Sequence, residues 1–405
     1  MSEQQDVPVV RVVRVDRHAL LVLPTDAAGT VEPAPGDGPA VRDGGSREVA
    51  GAPGRRQVTG AREGADAVPT VEADTDASPG ATTARLARVA VVPQRVELDR
   101  DGLVPADDGT RLAPTVGDVL ELDERPGAPV RVARLVPRRT ALVRDSADRT
   151  SLTQALAANV DVVLVAEHLD PEPDLGRVER LLTLAWRSGA QPVVVLTKAD
   201  LAPDAEAIAA EVADVAIGVD VHVVSATGDT GLEPLRALLT PGTTIVVVGP
   251  SGAGKSTLVN ALAGREVMAT GERRADGRGR HTTVHRELVA LGGGAMLIDT
   301  PGVRGVGLVA DAGALSTTFP DVEELAARCR FRDCAHGSEP GCAVRDALDS
   351  GDLPLRRFAS WQRLAREAAF QARRADARLA AEAKAQHKRA TAEHHRHQRA
   401  TAPRR

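Results

Sequence analysis

Tyrosine is absent from this chain, phenylalanine occurs four times and tryptophan twice. None of these rings precedes Trp186, and Phe319, Phe331, Phe358, Trp361 and Phe370 gather towards the C-terminus. An RNA contact made by the N-terminal region therefore cannot use aromatic base stacking. Long apolar runs are missing too. The N-terminal apolar stretches are broken by Arg11, Arg14, Asp16 and Arg17, which argues against a secretory signal or a membrane span and for a cytoplasmic protein. A net charge of -5 argues against a uniformly basic nucleic-acid coat. Charge is nonetheless uneven: Gln371 to Arg405 carries ten Lys/Arg against three Asp/Glu, with four histidines, and forms a basic tail. What is present suffices for real cores, since 405 residues with 42% hydrophobic content leave room for two or three globular domains.

Pattern divides the chain. Val9 to Leu23 holds two short β-like runs around Asp16, Arg17 and His18, after which residues 25–83 turn to Gly, Pro, Ala, Asp and Thr without apolar period and read as a disordered insertion. Strand patterns resume at Leu86 to Val92, Val96 to Leu98, Val119 to Leu122 and Val130 to Leu135, separated by Asp101-Gly102, Asp108-Gly109 and Pro126-Gly127. Short strands with regular turns suggest a small barrel, of the oligonucleotide-binding (OB) or the SH3-like kind. From Ala158 strands and helices alternate. The strands are Val162 to Ala166, Val193 to Leu196, Val221 to Val224, Ile245 to Val248 and Met296 to Ile298; the helices are Leu175 to Arg187, Ala205 to Val215, Leu232 to Leu239 and Thr257 to Ala263. This is a doubly wound α/β domain. Good helix formers dominate from about Leu355. The expected layout is an OB-like barrel over 1–145, an α/β domain over 146–312 and a metal-binding helical domain with a basic tail over 313–405.

The chemistry starts at Gly249-Pro250-Ser251-Gly252-Ala253-Gly254-Lys255-Ser256, a G-x-x-x-x-G-K-[ST] match between a strand and a helix that opens at Thr257. Backbone N–H groups converge on phosphate only where no Cβ obstructs them. Lys255 is placed for the β- and γ-phosphates and the Ser256 hydroxyl for Mg²⁺. A glycine turn that binds nothing is the plain alternative, and the full match in this setting speaks against it. Thr197-Lys198-Ala199-Asp200 supplies a carboxylate, Asp200, that can accept the guanine N1–H and exocyclic amine. Lys198 covers the base, and the Ala226 N–H in Val224-Ser225-Ala226 meets O6. Thr197 stands where Asn is usual. By itself this tetrapeptide could be a strand end and helix cap. Asp299, in Asp299-Thr300-Pro301-Gly302, is placed to hold Mg²⁺ through water, and the Gly302 N–H to meet the γ-phosphate. Thr282 or Thr283, in the segment with His281, can complete the Mg²⁺ shell; a mobile surface loop is the plain alternative there. The guanine elements precede the phosphate loop, so the motif set is circularly permuted. Every cysteine, Cys329, Cys334 and Cys342, falls beside His336. Three thiolates and an imidazole complete a tetrahedral Zn²⁺ site with no open position, hence a structural one.

Together with Val116-Gly117-Asp118, Pro137-Arg138-Arg139-Thr140, Ala158-Asn159-Val160-Asp161, His281-Thr282-Thr283 and Glu339-Pro340-Gly341-Cys342, these motifs make the chain resemble the ribosome small-subunit-dependent GTPase A family (RsgA/YjeQ). The resemblance runs from the β-barrel through the C-terminal helices. It implies an N-terminal OB barrel, a central GTPase and a C-terminal zinc domain, acting on the immature small (30S) subunit and its rRNA with GTP hydrolysis stimulated by that subunit. GTP and GDP are then the ligands, Mg²⁺ accompanies GTP, and the protein is expected to be a monomer without a membrane partner. A nucleotide-gated RNA-binding assembly factor, with hydrolysis incidental, is the alternative; Asp200 and Ser225-Ala226 speak against an ATPase or kinase. Val303 follows Gly302 where many GTPases carry a water-orienting glutamine, so slow intrinsic hydrolysis is expected, with His281 as the candidate water-positioning group.

Overall fold

A computed structural model describes residues 8–16, 19–25, 94–144, 154–268, 286–299 and 311–373. Nearly all of the expected insertion, the strand expected over Leu86 to Val92 and most of the basic tail lie outside these residues. Among them, no helix is long and apolar enough to cross a membrane.

The strands of the α/β region run β10 (Val162–His168), β11 (Gln191–Thr197), β12 (Val221–Val223), β13 (Thr244–Val248), β14 (Glu287–Ala290) and β15 (Met296–Asp299). Their order is β12-β11-β10-β13-β15-β14, parallel as far as β15, with β14 antiparallel beside it. Side chains alternate across the sheet, so each strand serves two cores. Val163, Val165, Val194, Leu196, Val246 and Ile298 face α1 (Leu175–Ser188) and α2 (Ala205–Val215). Leu164, Val193, Val195, Ile245 and Leu297 face α3 (Glu233–Ala237) and α4 (Lys255–Ala263). Helix α1 begins at Asp174, whose carboxylate accepts the Arg177 N–H at 3.1 Å, and stops at Gly189 in the left-handed region. Val178, Leu181, Leu182 and Ala185 fall on one face at helical spacing and are buried against the strands. The expected helix over Leu232 to Leu239 is shorter, Glu233–Ala237, because its flanks close as turns.

At its β14 edge the sheet does not stop. It continues through β1 (Val9–Val15) into β2 (Ala19–Pro24) and β3 (Gln94–Glu97). β6 (Val119–Asp123) also pairs with β1, and β7 (Arg131–Leu135) with β6. Two small ladders flank this region, β4 (Val104–Pro105) with β5 (Arg111–Leu112) and β8 (Ala141–Arg144) with β9 (Gln154–Ala158). Val10, Val12, Leu20, Val22, Val96, Leu120, Leu122 and Leu135 form a separate N-terminal core. Four charged residues of β1 and its surroundings, Arg11, Arg14, Asp118 and Glu287, are buried, because the strand is covered on both faces. Arg11 donates to the Asn159 carbonyl at 3.1 Å and the Thr244 hydroxyl at 2.7 Å, and burial pulls its guanidinium down to about 10. Asp118, fully buried, accepts two bonds from Arg138 at 2.7 and 2.9 Å and one from the Thr115 N–H at 2.7 Å. Gly117 has φ +91°, and a Cβ there would stand 2.1 Å from the Ala158 carbonyl oxygen, so the backbones meet too closely for any side chain. Asn159 closes the junction, giving its amide to the Gly117 carbonyl and accepting the Arg139 N–H. Three of the sequence motifs thus meet at one seam between the N-terminal sheet and the α/β region.

The C-terminal helices, α5 (Ala312–Thr318), α6 (Pro320–Ala327), α7 (Ala343–Ser350) and α8 (residues 355–373), pack around Phe319, Val322, Val344, Phe358 and Leu364. They dock on α1 through ions. Glu179, fully buried on α1, accepts from Arg356 at 3.0 and 3.1 Å and from Arg357 at 2.9 Å. Arg357 also reaches Asp321 and the Thr318 and Val215 carbonyls, with its guanidinium 4.3 Å from the centre of the Phe319 ring. Arg180 pairs with Glu367 and Arg187 with Asp311 at the rim. Glu179→Ala takes from the buried Arg357 one of its two carboxylates and leaves Asp321 alone to balance it, so it should cost about 1–3 kcal/mol. Urea unfolding checks this, and a loss below about 1 kcal/mol would class the network with exposed pairs.

Candidate nucleotide and metal sites

The phosphate loop leaves β13 between β10 and β15 and enters α4. Gly249 sits at φ +146°, where a Cβ would lie 2.1 Å from the Ala166 carbonyl oxygen of β10, so glycine is required for the loop to turn there. Gly254 is left-handed and starts the helix, which aims the first N–H groups of α4, those of Lys255, Ser256 and Thr257, into the loop. Lys255 Nζ lies 3.0 and 2.6 Å from the Gly249 and Pro250 carbonyls. Ala253 is buried, whereas Ser251 and Gly252 are exposed.

Two other loops meet this one at the same sheet edge. Thr197, the last residue of β11, is buried and donates its hydroxyl to the Ala253 carbonyl at 2.8 Å, with the Glu167 carbonyl at 3.1 Å. Lys198 follows at φ +62°, and a 3₁₀ turn, Ala199–Leu201, carries Asp200 outward. The loop after β12 is tied back by the Ala199 N–H to the Val224 carbonyl at 3.1 Å. There Ser225, buried, donates to Asp200 Oδ1 at 2.5 Å and accepts the Gly228 N–H, while Ala226 is partly exposed beside it. The Ser225 hydroxyl holds the Asp200 carboxyl below the usual aspartate range. Segments that the sequence separates and permutes are therefore one cluster in space. Glu167 was not marked by any motif. It is a fully buried carboxylate at the end of β10, bonded by Arg177 at 2.6 and 2.8 Å, and its carbonyl lies on the Thr197 hydroxyl. A single acid closing an apolar strand was the available signal.

Asp299 ends β15, one residue past the Val246–Ile298 pairing, and so emerges beside the strand that feeds the phosphate loop. Ser256 and Asp299 offer the hard oxygen donors that Mg²⁺ takes. His281, Thr282, Thr283 and Gly302 lie outside the described residues.

Cys329, Cys334, His336 and Cys342 bring their ligand atoms within 4.8 Å of one another. The Cys329–Cys342 sulfur separation is 3.9 Å, and both sulfurs lie 3.6 Å from His336 Nδ1. A tetrahedral zinc centre has edges of about 3.8 Å between sulfurs and about 3.6 Å between sulfur and nitrogen. The donor set and its spacing fit such an ion. Around it, Glu339 accepts the Ala335 and Gly337 N–H groups, Cys342 caps α7, and the His336 ring stands edge-on to Phe358 and Trp361.

Loss of the hydroxyl in Ser225→Ala should return Asp200 towards the ordinary aspartate pKa of about 3.9. With Asp200 as the reader of guanine, binding would persist above that pKa and fade as pH falls through it. The acid limb of guanine-nucleotide binding should therefore move to higher pH in the variant. A fluorescence titration from acid to neutral pH reads the shift, and superimposable curves would remove the Ser225–Asp200 bond from that role.

A family model described as RsgA GTPase matches residues 135–309. The small ribosomal subunit biogenesis GTPase RsgA of Streptomyces avermitilis is 54% identical over 274 residues, covering 67% of this chain and 74% of that protein. That of Streptomyces coelicolor is 52% identical over 267 residues, covering 65% and 73%. Among solved structures, YloQ, described as a circularly permuted GTPase, aligns with a TM-score of 0.52 at 18% identity over 92% of this chain and 98% of its own, a likeness of fold. With this coverage and identity, and with its permuted loops gathered at one sheet edge, the chain belongs to the RsgA family of circularly permuted GTPases.

Proposed function

We propose that this chain hydrolyses GTP in the late maturation of the small ribosomal subunit, binding rRNA on the immature particle and hydrolysing faster when bound. The observation that carries the reading is the Thr197 hydroxyl on the Ala253 carbonyl, which joins the base-reading loop to the phosphate loop in one pocket edge. The relatives' printed names supply the ribosomal context. In this reading the N–H groups of the Gly249–Gly254 loop and the first turn of α4 cradle the phosphates, and Lys255 neutralises the β- and γ-phosphate oxygens. Asp200 accepts from guanine N1–H and the exocyclic amine, the Ala226 N–H donates to O6, and Lys198 covers the base. Ser256 would hold Mg²⁺ directly and Asp299 through water, the ion would supply charge neutralisation at the β- and γ-phosphates, and Thr282 or Thr283 would complete its shell. The Gly302 N–H meets the γ-phosphate. His281 orients the attacking water, since Val303 has no side chain able to do so.

Around this centre stand an OB-like barrel over 1–145, the GTPase over 146–312 and a zinc-stabilised domain with a basic tail over 313–405, in a cytoplasmic monomer. The separate core of Val10, Val12, Leu20 and Leu120 supports the barrel. Zinc at the Cys₃His cluster is structural, because all four positions are filled by protein.

Three outcomes are expected. GTP turnover should rise on adding purified small subunits, and His281→Ala should lose most of that rise while keeping its GTP affinity; an unchanged rate with subunits would defeat the reading. Asp200→Asn should weaken GTP binding by roughly tenfold or more and favour xanthine nucleotides, because one acceptor becomes a donor. Retained guanine preference in competition binding would remove Asp200 as the reader. Cys342→Ser should lose zinc by metal analysis and loosen α5 to α8. A wild-type protein purified without zinc would end that part of the proposal.

A further inference from the structure

Glu167 is a carboxylate fully withdrawn from water, one residue before β10 ends, in a strand that is otherwise apolar up to that point. An ion in such a place is costly unless a counter-charge meets it. Among the described residues, the cation that does so is Arg177 from the first turn of α1, with Nε 2.6 Å from Oε1 and Nη2 2.8 Å from Oε2. The fork engages both oxygens, the bidentate geometry that a guanidinium favours. The Arg177 N–H meanwhile bonds the Asp174 carboxylate that caps α1. One residue thus begins the helix with its backbone and fastens the strand end with its side chain.

The backbone of that strand end carries Thr197. The Thr197 hydroxyl lies 3.1 Å from the Glu167 carbonyl and 2.8 Å from the Ala253 carbonyl, and the Leu169 N–H donates to the Thr197 carbonyl at 3.0 Å. A hydroxyl has one proton to give. Here it is shared between two carbonyls, so it stays on the phosphate loop at Ala253 while the Glu167 carbonyl keeps its place on the other side. Thr197 is buried, which leaves water poorly placed to replace either contact. The position of the Glu167 carbonyl is set in turn by the ion pair that its own side chain makes.

We propose that Arg177 is a positioning residue for the guanine nucleotide, acting through Glu167 on the Thr197 hydroxyl, an assignment that rests on the reading of the Thr197 and Ala253 loops as the nucleotide site. Without Arg177, the Glu167 carboxylate reaches water by twisting the end of β10, which moves its carbonyl off the Thr197 hydroxyl. The Thr197–Ala253 bond then loosens. The base-reading loop and the phosphate loop are no longer held at one spacing.

The test is equilibrium binding of a fluorescent GDP to the full chain, well below its unfolding temperature, with thermal unfolding measured in parallel. Arg177→Gln should raise the Kd about tenfold, the size of roughly one hydrogen bond lost from the bound state. Arg177→Gln/Glu167→Gln buries no charge and should bind within about threefold of wild type. A double-mutant cycle with Thr197→Val, which lacks the hydroxyl, isolates the route: on that background Arg177→Gln should raise the Kd by no more than about twofold, because the bond it acts through is already gone. A purely structural role would lower the unfolding temperature on both backgrounds and leave binding alone, as Glu179→Ala should at the C-terminal seam of the same helix. An unchanged Kd in Arg177→Gln overturns the proposal. So do losses that multiply with that of Thr197→Val, a Gln/Gln variant that binds as poorly as Arg177→Gln, or an equal loss in Glu179→Ala. If Arg177→Gln does not fold, Arg177→Lys carries the cycle: a single ammonium replaces the two-bond fork, so a rise of about threefold is expected, and it should vanish on the Thr197→Val background. Wild-type protein that does not bind the GDP would instead bring down the nucleotide site itself, and this proposal with it.

Discussion

Parallel pairing of β10 with β11 on one side and β13 on the other is the constraint on which the nucleotide site depends. Strands that run the same way deliver their C-terminal loops to one edge, whatever order the chain visits them in. Residues 197–200 and 225–226 reach that edge before residues 249–256 in the chain, a rotation of the usual order, yet the Thr197 hydroxyl still meets the Ala253 carbonyl and Ser225 still meets Asp200. Permutation moves the chain ends and leaves the edge intact. It also places β14 and β15 late in the chain, next to β1 from its beginning, so that the N-terminal sheet is continuous with the GTPase sheet.

The seams between regions share one device. Asp118 with Arg138, Glu179 with Arg356 and Arg357, and Glu287 with Arg14 are buried or nearly buried carboxylates, each met by arginine from another element. In a chain with so few aromatic side chains, large apolar plugs are scarce; the planar guanidinium fills volume and satisfies two carboxylate oxygens at once. Such pairs add little net stability over a well-packed apolar contact, because desolvation offsets the attraction. What they fix is geometry. Arg138 is bidentate on Asp118, and Arg357 reaches two carboxylates, two carbonyls and an aromatic face, so neither seam can slide without stranding a charge.

The Cys/His cluster is built by a different logic. Four side chains drawn from a short stretch need no distant partner to assemble, and the spacing of Cys329, Cys334, His336 and Cys342 in the sequence already suggests a tetrahedral set able to hold a metal. Phe358 and Trp361 then pack on His336 from α8, which uses the late-clustered aromatics to attach the knuckle to the helices.

The sequence by itself determined the elements whose signals are local. Apolar runs at Val162, Val193 and Ile245, the amphipathic spacing of Leu175 to Arg187, the glycine pattern of the phosphate loop and the cysteine spacing each appear where they were expected. It also named Thr197, Asp200, Ser225 and Lys255, because motif spacing records chemistry that must be met at close range. Tertiary structure alone decided the rest. Short ladders such as β4 with β5 and β8 with β9 have no periodic signal of their own and exist through their partners. Glu167 and Arg177 look like unremarkable charges until burial pairs them. Arg14, which in the sequence only interrupts an apolar run, becomes the cation that faces Glu287 because β1 happens to lie beside β14. Local pattern specifies what a segment is; long-range pairing, which no local pattern encodes, specifies what it stands next to.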